Sequence, residues 1–235
     1  MDIDSGYVKE IARGLGADLC GIASADRFGD APEGFHPRDV LPGCKAVIVL
    51  AVRFNNSTLQ AASTIPYTVV RNELSAKMNR LAVELSSILD ESGITAVPTG
   101  SIGPDEFDRK TDKFRGIISL KHAAVQAGLG KMGKNTLLVN DKYGNMLWLN
   151  AVITSAELEA DPVADYESCI PGCTLCIDSC PVKALDGISI KQPLCKGHAF
   201  GEKDGGEWRI KCYTCRKICP RSLGIKMKRS ELPGC

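Results

Sequence analysis

Cysteine is the residue type whose spacing most clearly predicts chemistry in this sequence. The chain has 235 residues and 11 cysteines, and nine of those cysteines lie after residue 168. Most of them fall in two runs: CIPGCTLCIDSCP begins at Cys169, and CYTCRKICP begins at Cys212. Both runs contain the pattern CxxCxxxCP. Thiolates repeated at such short intervals can converge on one centre, so the sequence predicts metal binding through sulfur.

The pattern CxxCxxxCP is the spacing of proteins that hold two [4Fe-4S] clusters. In that arrangement the closely spaced cysteines bind one cluster, and the cysteine before the proline binds the other. The spacing therefore predicts two clusters whose ligands cross between the two runs. The first cysteine set, predicted to bind one cluster, comprises Cys169, Cys173, Cys176 and Cys219. The second cysteine set, predicted to bind the other, comprises Cys180, Cys195, Cys212 and Cys215.

Cys195 is the remote member of the second cysteine set. The position where the regular pattern would place a ligand, ahead of the second run, holds Arg209, so a thiolate must come from elsewhere. Cys195 is the best candidate, because Cys235 is the last residue of the sequence and chain ends tend to fray.

The first run carries one residue more than the regular pattern. Three residues instead of two separate Cys169 from Cys173. We expect Pro171 and Gly172 to form a bulged turn that absorbs the extra residue.

Structural zinc is the alternative to iron and sulfur. Paired CxxC knuckles also hold Zn²⁺ tetrahedrally through four thiolates. Zinc gives no reason for the repeated CxxxCP, so the spacing favours iron-sulfur clusters. Of the other cysteines, Cys20 lies in the apolar run ADLCGIA and Cys44 precedes a predicted strand, so both are most simply small buried apolar residues.

A glycine segment, residues 128–135, is the second candidate site. It formally matches GxGxxG and part of a phosphate-binding loop, but a helical pattern precedes it and a strand follows, the reverse of what those motifs require. At such a junction the glycines would let the backbone approach a large flat ligand, with amide and ammonium donors beside it. The alternative is a glycine helix cap with a solvated turn. The candidate binding residues are Gly128, Gly130, Gly133, Lys134 and Asn135.

Helices and strands that could position these groups alternate in the first two thirds of the chain. Apolar residues at helical spacing predict a helix over 74–89, a shorter one over 7–15 and another beginning near Ser119. Buried strands are predicted for AVIVLAV from Ala46, TLLVN from Thr136 and MLWLNAVIT from Met146, the last two joined by the turn DKYGN. The mixture predicts an α/β or α+β layered domain.

Composition divides the chain and limits its function. The acidic, proline-containing segment AELEADPVADYES precedes the cysteine runs and predicts a boundary near residue 160. With 29 Lys and Arg against 28 Asp and Glu, bulk charge gives no support to nucleic-acid binding. No apolar run is long enough to span a bilayer, and the first residues lack the pattern of a secretory signal. We therefore expect a soluble chain in a reducing cytoplasm, with cysteines free of disulfides.

The stretches AGLGKMGKNTLLVN, GADLCGIASA and KAVIVLAV, together with the two cysteine runs, resemble the epoxyqueuosine reductase family and, more distantly, the reductive dehalogenases. The resemblance covers nearly the whole chain. It implies a nitroreductase-like α/β domain over 1–160 that holds a cobalamin, and a ferredoxin-like domain over 161–235 that holds two [4Fe-4S] clusters. It also implies that residues 128–135 bind the corrinoid.

Two departures from the family concern its substrate. The family carries a C-terminal helical-repeat region used on tRNA, whereas this sequence ends at residue 235, so we expect no action on tRNA itself. The family's proton-donating Asp, in the pattern DxxPxxE, has no counterpart, since Phe114, Ile117 and Leu120 stand there. Asp112 and His122 are the remaining proton-donor candidates, with a surface helix histidine as the alternative interpretation of His122.

Two functions follow from these features. One is an oxidoreductase that passes electrons from a low-potential donor such as ferredoxin or flavodoxin, through two clusters, to a bound corrinoid that reduces a small substrate. The other is an electron-transfer module without a substrate site that serves a partner, for example a corrinoid protein. Flavin in place of corrinoid is a third alternative. Clusters of this kind are oxygen-sensitive, so we expect an anaerobic host.

Overall fold

The computed structural model describes residues 3–110, 113–202 and 206–226, which form helices on both faces of an antiparallel sheet. The helices are α1 Ser5–Gly14, α2 Pro37–Val40, α3 Ile65–Glu91, α4 Leu120–Gln126, α5 Leu175–Asp178, α6 Gln192–Ala199 and α7 Thr214–Lys217. The strands are β1 Leu19–Ser24, β2 Ala46–Arg53, β3 Ala96–Pro98, β4 Glu106–Asp108, β5 Lys113–Arg115, β6 Lys131–Met132, β7 Leu138–Val139, β8 Leu147–Thr154, β9 Phe200–Glu202 and β10 Trp208–Ile210.

The central sheet has four strands in the order β1-β2-β8-β3, and every neighbouring pair is antiparallel. Every residue of β2 except the last, Arg53, is buried. Such a continuous apolar strand forms because both faces of the sheet are covered. The strands predicted from Ala46 and Met146 are confirmed as β2 and β8.

The two faces of the sheet carry different helices. Ile48 and Leu50 of β2 face α1 and α3, where Met78 and Leu85 complete one apolar cluster. The alternate β2 residues face α4, which packs through small alanine side chains. Close packing of α4 is possible because β1 has Gly21 there: a Cβ on Gly21 would stand 2.3 Å from the carbonyl oxygen of Ala127. The predicted mixture of helix and strand is thus confirmed as a mixed α/β fold.

Helix α3 is longer than the sequence pattern predicts. The predicted helix covers 74–89, whereas α3 spans Ile65–Glu91. Its first turns were missed because Ile65 and Val69 are exposed and break the apolar period. Tyr67 and Thr68, in the same turns, are buried against the cysteine-rich part of the chain.

The predicted turn DKYGN is confirmed between β7 and β8, but the two strands do not pair with each other. Strand β7 pairs with β6, while β8 pairs with β2 and β3. The turn between them closes on itself through two backbone hydrogen bonds that join Asn140 and Gly144. After the turn the chain does not run back along β7. The backbone amide of Asn145 instead donates to the carbonyl of Ser222, near the described C-terminal end.

The cysteine-rich part consists of short elements packed onto the rest of the molecule. Its helices α5, α6 and α7 have four to eight residues, and β9 and β10 form a two-stranded sheet. One buried apolar cluster spans both parts of the chain and contains Phe54, Leu59, Tyr67, Met146, Ile210 and Leu223. The boundary near residue 160 and the ferredoxin-like fold stay predictions. In the ranges that the structure describes, no helix is long and apolar enough to cross a membrane.

Candidate functional site

The first cysteine set lines a single cavity. Cys169 and Cys173 lie in the loop before α5, Cys176 lies on α5, and Cys219 follows α7. The loop before α5 and the C-terminal end of α7 therefore bring sulfur atoms from both sequence runs to one place. The residues that line the cavity are Lys134, Asn135, Val139, Cys169, Ile170, Cys173, Cys176, Cys219, Pro220 and Arg221.

The predicted turn in the first run is confirmed. The amide of Cys173 donates to the carbonyl of Ile170, 3.1 Å away, which closes a four-residue turn around Pro171 and Gly172. Gly172 has φ +73°, a conformation that suits glycine at the third position of a turn with proline at the second. The extra residue between Cys169 and Cys173 is therefore absorbed locally.

The second cysteine set also comes together. The pKa of Cys215 is raised to about 11, mainly by burial; the charge of Arg216 lowers it, and the thiolates of Cys195, Cys212 and Cys180 contribute to the rise. Burial likewise raises the pKa of Cys195, with Cys212 and Cys180 adding to it. Because such charge effects act only at short range, Cys195 on α6 lies beside the second run. Cys195 therefore lies near the other cysteines of the second set, and its role as a cluster ligand stays a prediction.

Cysteines of one run lie near cysteines of the other, whereas their division into two cluster-binding sets stays a prediction. Cys219 of the second run lies near the three cysteines of the first: its pKa is raised to about 11, mainly by burial, and the thiolates of Cys169, Cys176 and Cys173 contribute to the rise. Cys180 of the first run is coupled to Cys195 and Cys215. The cysteine before each proline therefore lies with the opposite run, which is the arrangement that two cross-linked clusters require.

The spacing of the sulfur atoms bears on the zinc alternative. Across 3–110, 113–202 and 206–226, no group of three or more His, Cys, Asp or Glu side chains is arranged to hold a metal ion. A structural zinc needs four donors about 2.3 Å from one point, whereas the thiolates of a cube attach to four separate irons. Iron-sulfur clusters and zinc therefore stay alternative predictions for these cysteines.

Lys134 and Asn135 face the cysteines. The backbone amide of Lys134 donates to Cys169 Sγ at 3.4 Å, and its ammonium donates to the carbonyl of Cys173 at 3.0 Å. The side-chain amide of Asn135, which is buried, donates to the carbonyl of Cys215 at 3.1 Å. Two consecutive residues of the glycine segment thus contact both cysteine sets.

Two cations near the second cysteine set were missed by the sequence analysis. The ammonium of Lys121 on α4 donates to the carbonyl of Thr136 at 2.6 Å, and burial, followed by the charge of Arg216, lowers the pKa of Lys121. Arg216 is buried, donates to the carbonyl of Asn145, and lies 5.9 Å from the centre of the Phe54 ring. For Arg216 the available signal was its place inside the run CYTCRKICP, whereas no local pattern marked Lys121.

The glycines of the segment pack against the chain's own backbone. Gly128 has φ +73°, and a Cβ there would stand 2.2 Å from the carbonyl oxygen of Pro162. A Cβ on Gly130 would stand 2.5 Å from the carbonyl oxygen of Val139, and one on Gly133 would meet Asn135 Oδ1 at 2.9 Å. The close approach that these glycines permit is therefore internal. That residues 128–135 bind a corrinoid stays a prediction.

The proton-donor candidates lie apart from this arrangement or outside the described residues. His122 is exposed on α4, and its Nδ1 lies 2.7 Å from Ser119 Oγ. Partial burial of the ring, followed by the charge of Lys121, lowers the pKa of His122. Asp112 lies outside the described residues, as does Cys235. Cys44 is buried, and burial raises the pKa of Cys20 to about 12, which keeps it a thiol.

Three comparisons were informative, although no family model matches the chain. The epoxyqueuosine reductase of Staphylococcus aureus is 26% identical over 257 residues, which cover 96% of this chain and 66% of that protein. The structure of epoxyqueuosine reductase from Streptococcus thermophilus superposes with a TM-score of 0.67 at 21% identity, covering 96% of this chain and 67% of the other. This chain therefore spans about two thirds of those relatives.

A reductive dehalogenase structure described for B12-dependent dehalogenation also matches, with a TM-score of 0.64 at 18% identity over 91% of this chain and 31% of the other. The likeness to the two structures shows a shared fold. The chain is thus similar in sequence to epoxyqueuosine reductases along most of its length, and it shares a fold with them and with the reductive dehalogenases.

Proposed function

We propose that the chain is an iron-sulfur oxidoreductase that holds one [4Fe-4S] cluster on each cysteine set. The observation that carries the proposal is the crossing of the sets, in which Cys219 lies with the first run and Cys180 with the second. A pair of separate zinc knuckles would keep the cysteines of each run together. Crossed thiolates would instead hold two clusters close enough for electrons to pass between them.

The chain's own residues would hold the clusters and balance their charge. When bound, a [4Fe-4S] cluster supplies one-electron transfer. Four thiolates make each site strongly negative, and Lys134 beside the first set and Lys121 and Arg216 beside the second offset that charge. Burial of Cys176 and Cys180 limits access of water to the sulfur atoms, which also affects the reduction potential.

A corrinoid is proposed from the likeness to family members alone. The residues predicted to bind it do not fit that role here, because the glycines contact the chain's own carbonyls and Lys134 and Asn135 contact cysteine residues. The same observation favours the second candidate function, an electron-transfer module that takes electrons from a ferredoxin or flavodoxin and serves a partner protein. In both cases we propose a soluble protein of a reducing cytoplasm.

Metal analysis of anaerobically purified protein tests the proposal. Iron and cobalt would be quantified with ultraviolet-visible and electron paramagnetic resonance spectra, before and after incubation with cobalamin. About eight irons per chain, four per cluster, support two clusters. Added cobalt uptake supports the corrinoid oxidoreductase, whereas the same iron without uptake of cobalamin or flavin supports the electron-transfer module. Stoichiometric zinc with little iron overturns both.

A further inference from the structure

The segment formed by Lys134 and Asn135 lies between the two cysteine sets. We propose that Lys134 sets the reduction potential of the cluster on the first cysteine set, and that this is the role of the glycine segment instead of corrinoid binding. The inference rests on the proposed function, since it requires the first cluster. Lys134 is then a potential-setting residue that acts on the sulfur ligands.

Lys134 contacts the first cysteine set at two points. Its amide hydrogen bond to Cys169 Sγ, at 3.4 Å, belongs to the type of N-H to sulfur contact that raises cluster potentials. Its ammonium, 3.0 Å from the carbonyl of Cys173, sits over the loop that carries two of the four sulfur atoms. Gly133, tightly packed against Asn135 and Val139, fixes the backbone immediately before Lys134.

The charged side chains that line the cavity indicate why the ammonium of Lys134 would affect the cluster. Its lining residues include two cations, Lys134 and Arg221, and no carboxylate. Arg221 directs its guanidinium to the carbonyl of Ile225. Lys134 is therefore the cation whose hydrogen bond is made directly to a cysteine of the first set.

The chemical step is a one-electron reduction. An external one-electron reductant loses one electron and the oxidised cluster gains it; no covalent bond forms or breaks, and no proton is transferred. The reduced cluster carries one more negative charge than the oxidised cluster. A fixed ammonium nearby therefore stabilises the reduced form more, and its presence raises the midpoint potential.

Side-chain substitutions separate the ammonium from the backbone contact. Lys134→Gln removes the charge and keeps the amide donor to Cys169, whereas Lys134→Arg keeps the charge. Lys131→Gln is the matched control, because Lys131 lies in the same segment, pairs with Val139 across β6 and β7, and is not among the residues that line the cavity.

Potentiometric titration of the clusters, followed by electron paramagnetic resonance in protein free of corrinoid, gives the readout. We expect one of the two reduction waves of Lys134→Gln to move to a more negative potential, with the other wave, the iron content and the cobalamin affinity unchanged. Lys134→Arg and Lys131→Gln should titrate like the wild type.

Several outcomes overturn the inference. These are unchanged waves in Lys134→Gln, equal shifts of both waves, or a fall in cobalamin affinity without a shift. Loss of iron from both Lys134→Gln and Lys134→Met, with iron retained in Lys134→Arg, would assign Lys134 to assembly of the site and would equally overturn it. A wild type without clusters is distinct, because it contradicts the proposed function itself.

Discussion

The ring of Tyr67 on α3 stacks on the ring of Tyr213, with centroids 4.1 Å apart and planes inclined by 9°. Tyr213 stands inside the second cysteine run, between Cys212 and Cys215. On its other side, Tyr67 packs against Phe54, whose ring centroid lies 4.6 Å away. The long core helix thus holds the loop that carries two predicted cluster ligands.

Replacing one ring of this stack should weaken the attachment of the second run. Tyr213→Leu keeps an apolar side chain but loses the aromatic contact, and we expect it to lower the free energy of unfolding by about 0.5–1.5 kcal/mol. Tyr213→Phe keeps the ring and should match the wild type. Anaerobic denaturant titration measures both, and an equal loss in the two variants would assign the effect to the hydroxyl group.

Cys195 should be required for one cluster only. Cys195→Ala removes the remote thiolate of the second cysteine set, and iron per chain should fall from about eight to about four. Cys44→Ala is the control, because Cys44 is buried near Ala46, away from both sets. Colorimetric iron analysis after anaerobic reconstitution provides the measurement. Full iron content in Cys195→Ala would exclude it as a ligand.

The local chemistry of the cysteines could be predicted from sequence, because ligand spacing and the Pro171-Gly172 turn depend on near neighbours. The role of the glycine segment could not. Gly128 and Gly130 face carbonyls of Pro162 and Val139, so their partners are set by tertiary packing that no local pattern contains.

Long-range contacts also explain the errors in the predicted fold. The sequence predicts the turn between β7 and β8 but not the strands with which each of them pairs. The chain leaving the turn instead binds Ser222 through the amide of Asn145, a contact between distant residues. The first turns of α3 were missed because Ile65 and Val69 are apolar but exposed. The apolar residues there do not mark the buried face of the helix.

Gly144 should tolerate no side chain. It has φ +57°, and a Cβ would stand 2.1 Å from the carbonyl oxygen of Arg221 and 2.3 Å from that of Ser222. Gly144→Ala combines backbone strain with overpacking, so we expect a loss of about 2–4 kcal/mol in unfolding free energy. Gly43→Ala, where a Cβ meets no neighbour within 4 Å, should change stability by less than about 0.5 kcal/mol.

Iron analysis of the same two variants extends this test. Arg221 lines the cavity of the first cysteine set, so a displaced backbone there should also reduce iron retention in Gly144→Ala. Wild-type stability and iron content in Gly144→Ala would contradict the described packing of the C-terminal segment.

His122 should titrate below its ordinary pKa. Burial of the ring and the neighbouring charge of Lys121 lower its pKa, so the unfolded chain binds a proton at pH values where folded His122 does not. This contribution to stability is complete above the unfolded pKa and declines as pH falls toward the folded pKa. Nuclear magnetic resonance titration of the ring measures the effect, and Lys121→Met should raise the pKa of His122. An unchanged pKa in that variant would exclude the charge effect.

The apolar cluster that joins Phe54, Tyr67 and Met146 to Ile210 and Leu223 would link the proposed metal centres to the lifetime of the polypeptide. Metal binding contributes folding free energy to the segments that carry the ligands. Oxidative loss of iron would therefore loosen the segments around Ile210 and Leu223 and uncover apolar side chains beside the central sheet. Chaperones and proteases act on such surfaces. A chain that has lost its clusters would thus be degraded. It would then not compete, in an inactive form, for the electron donor.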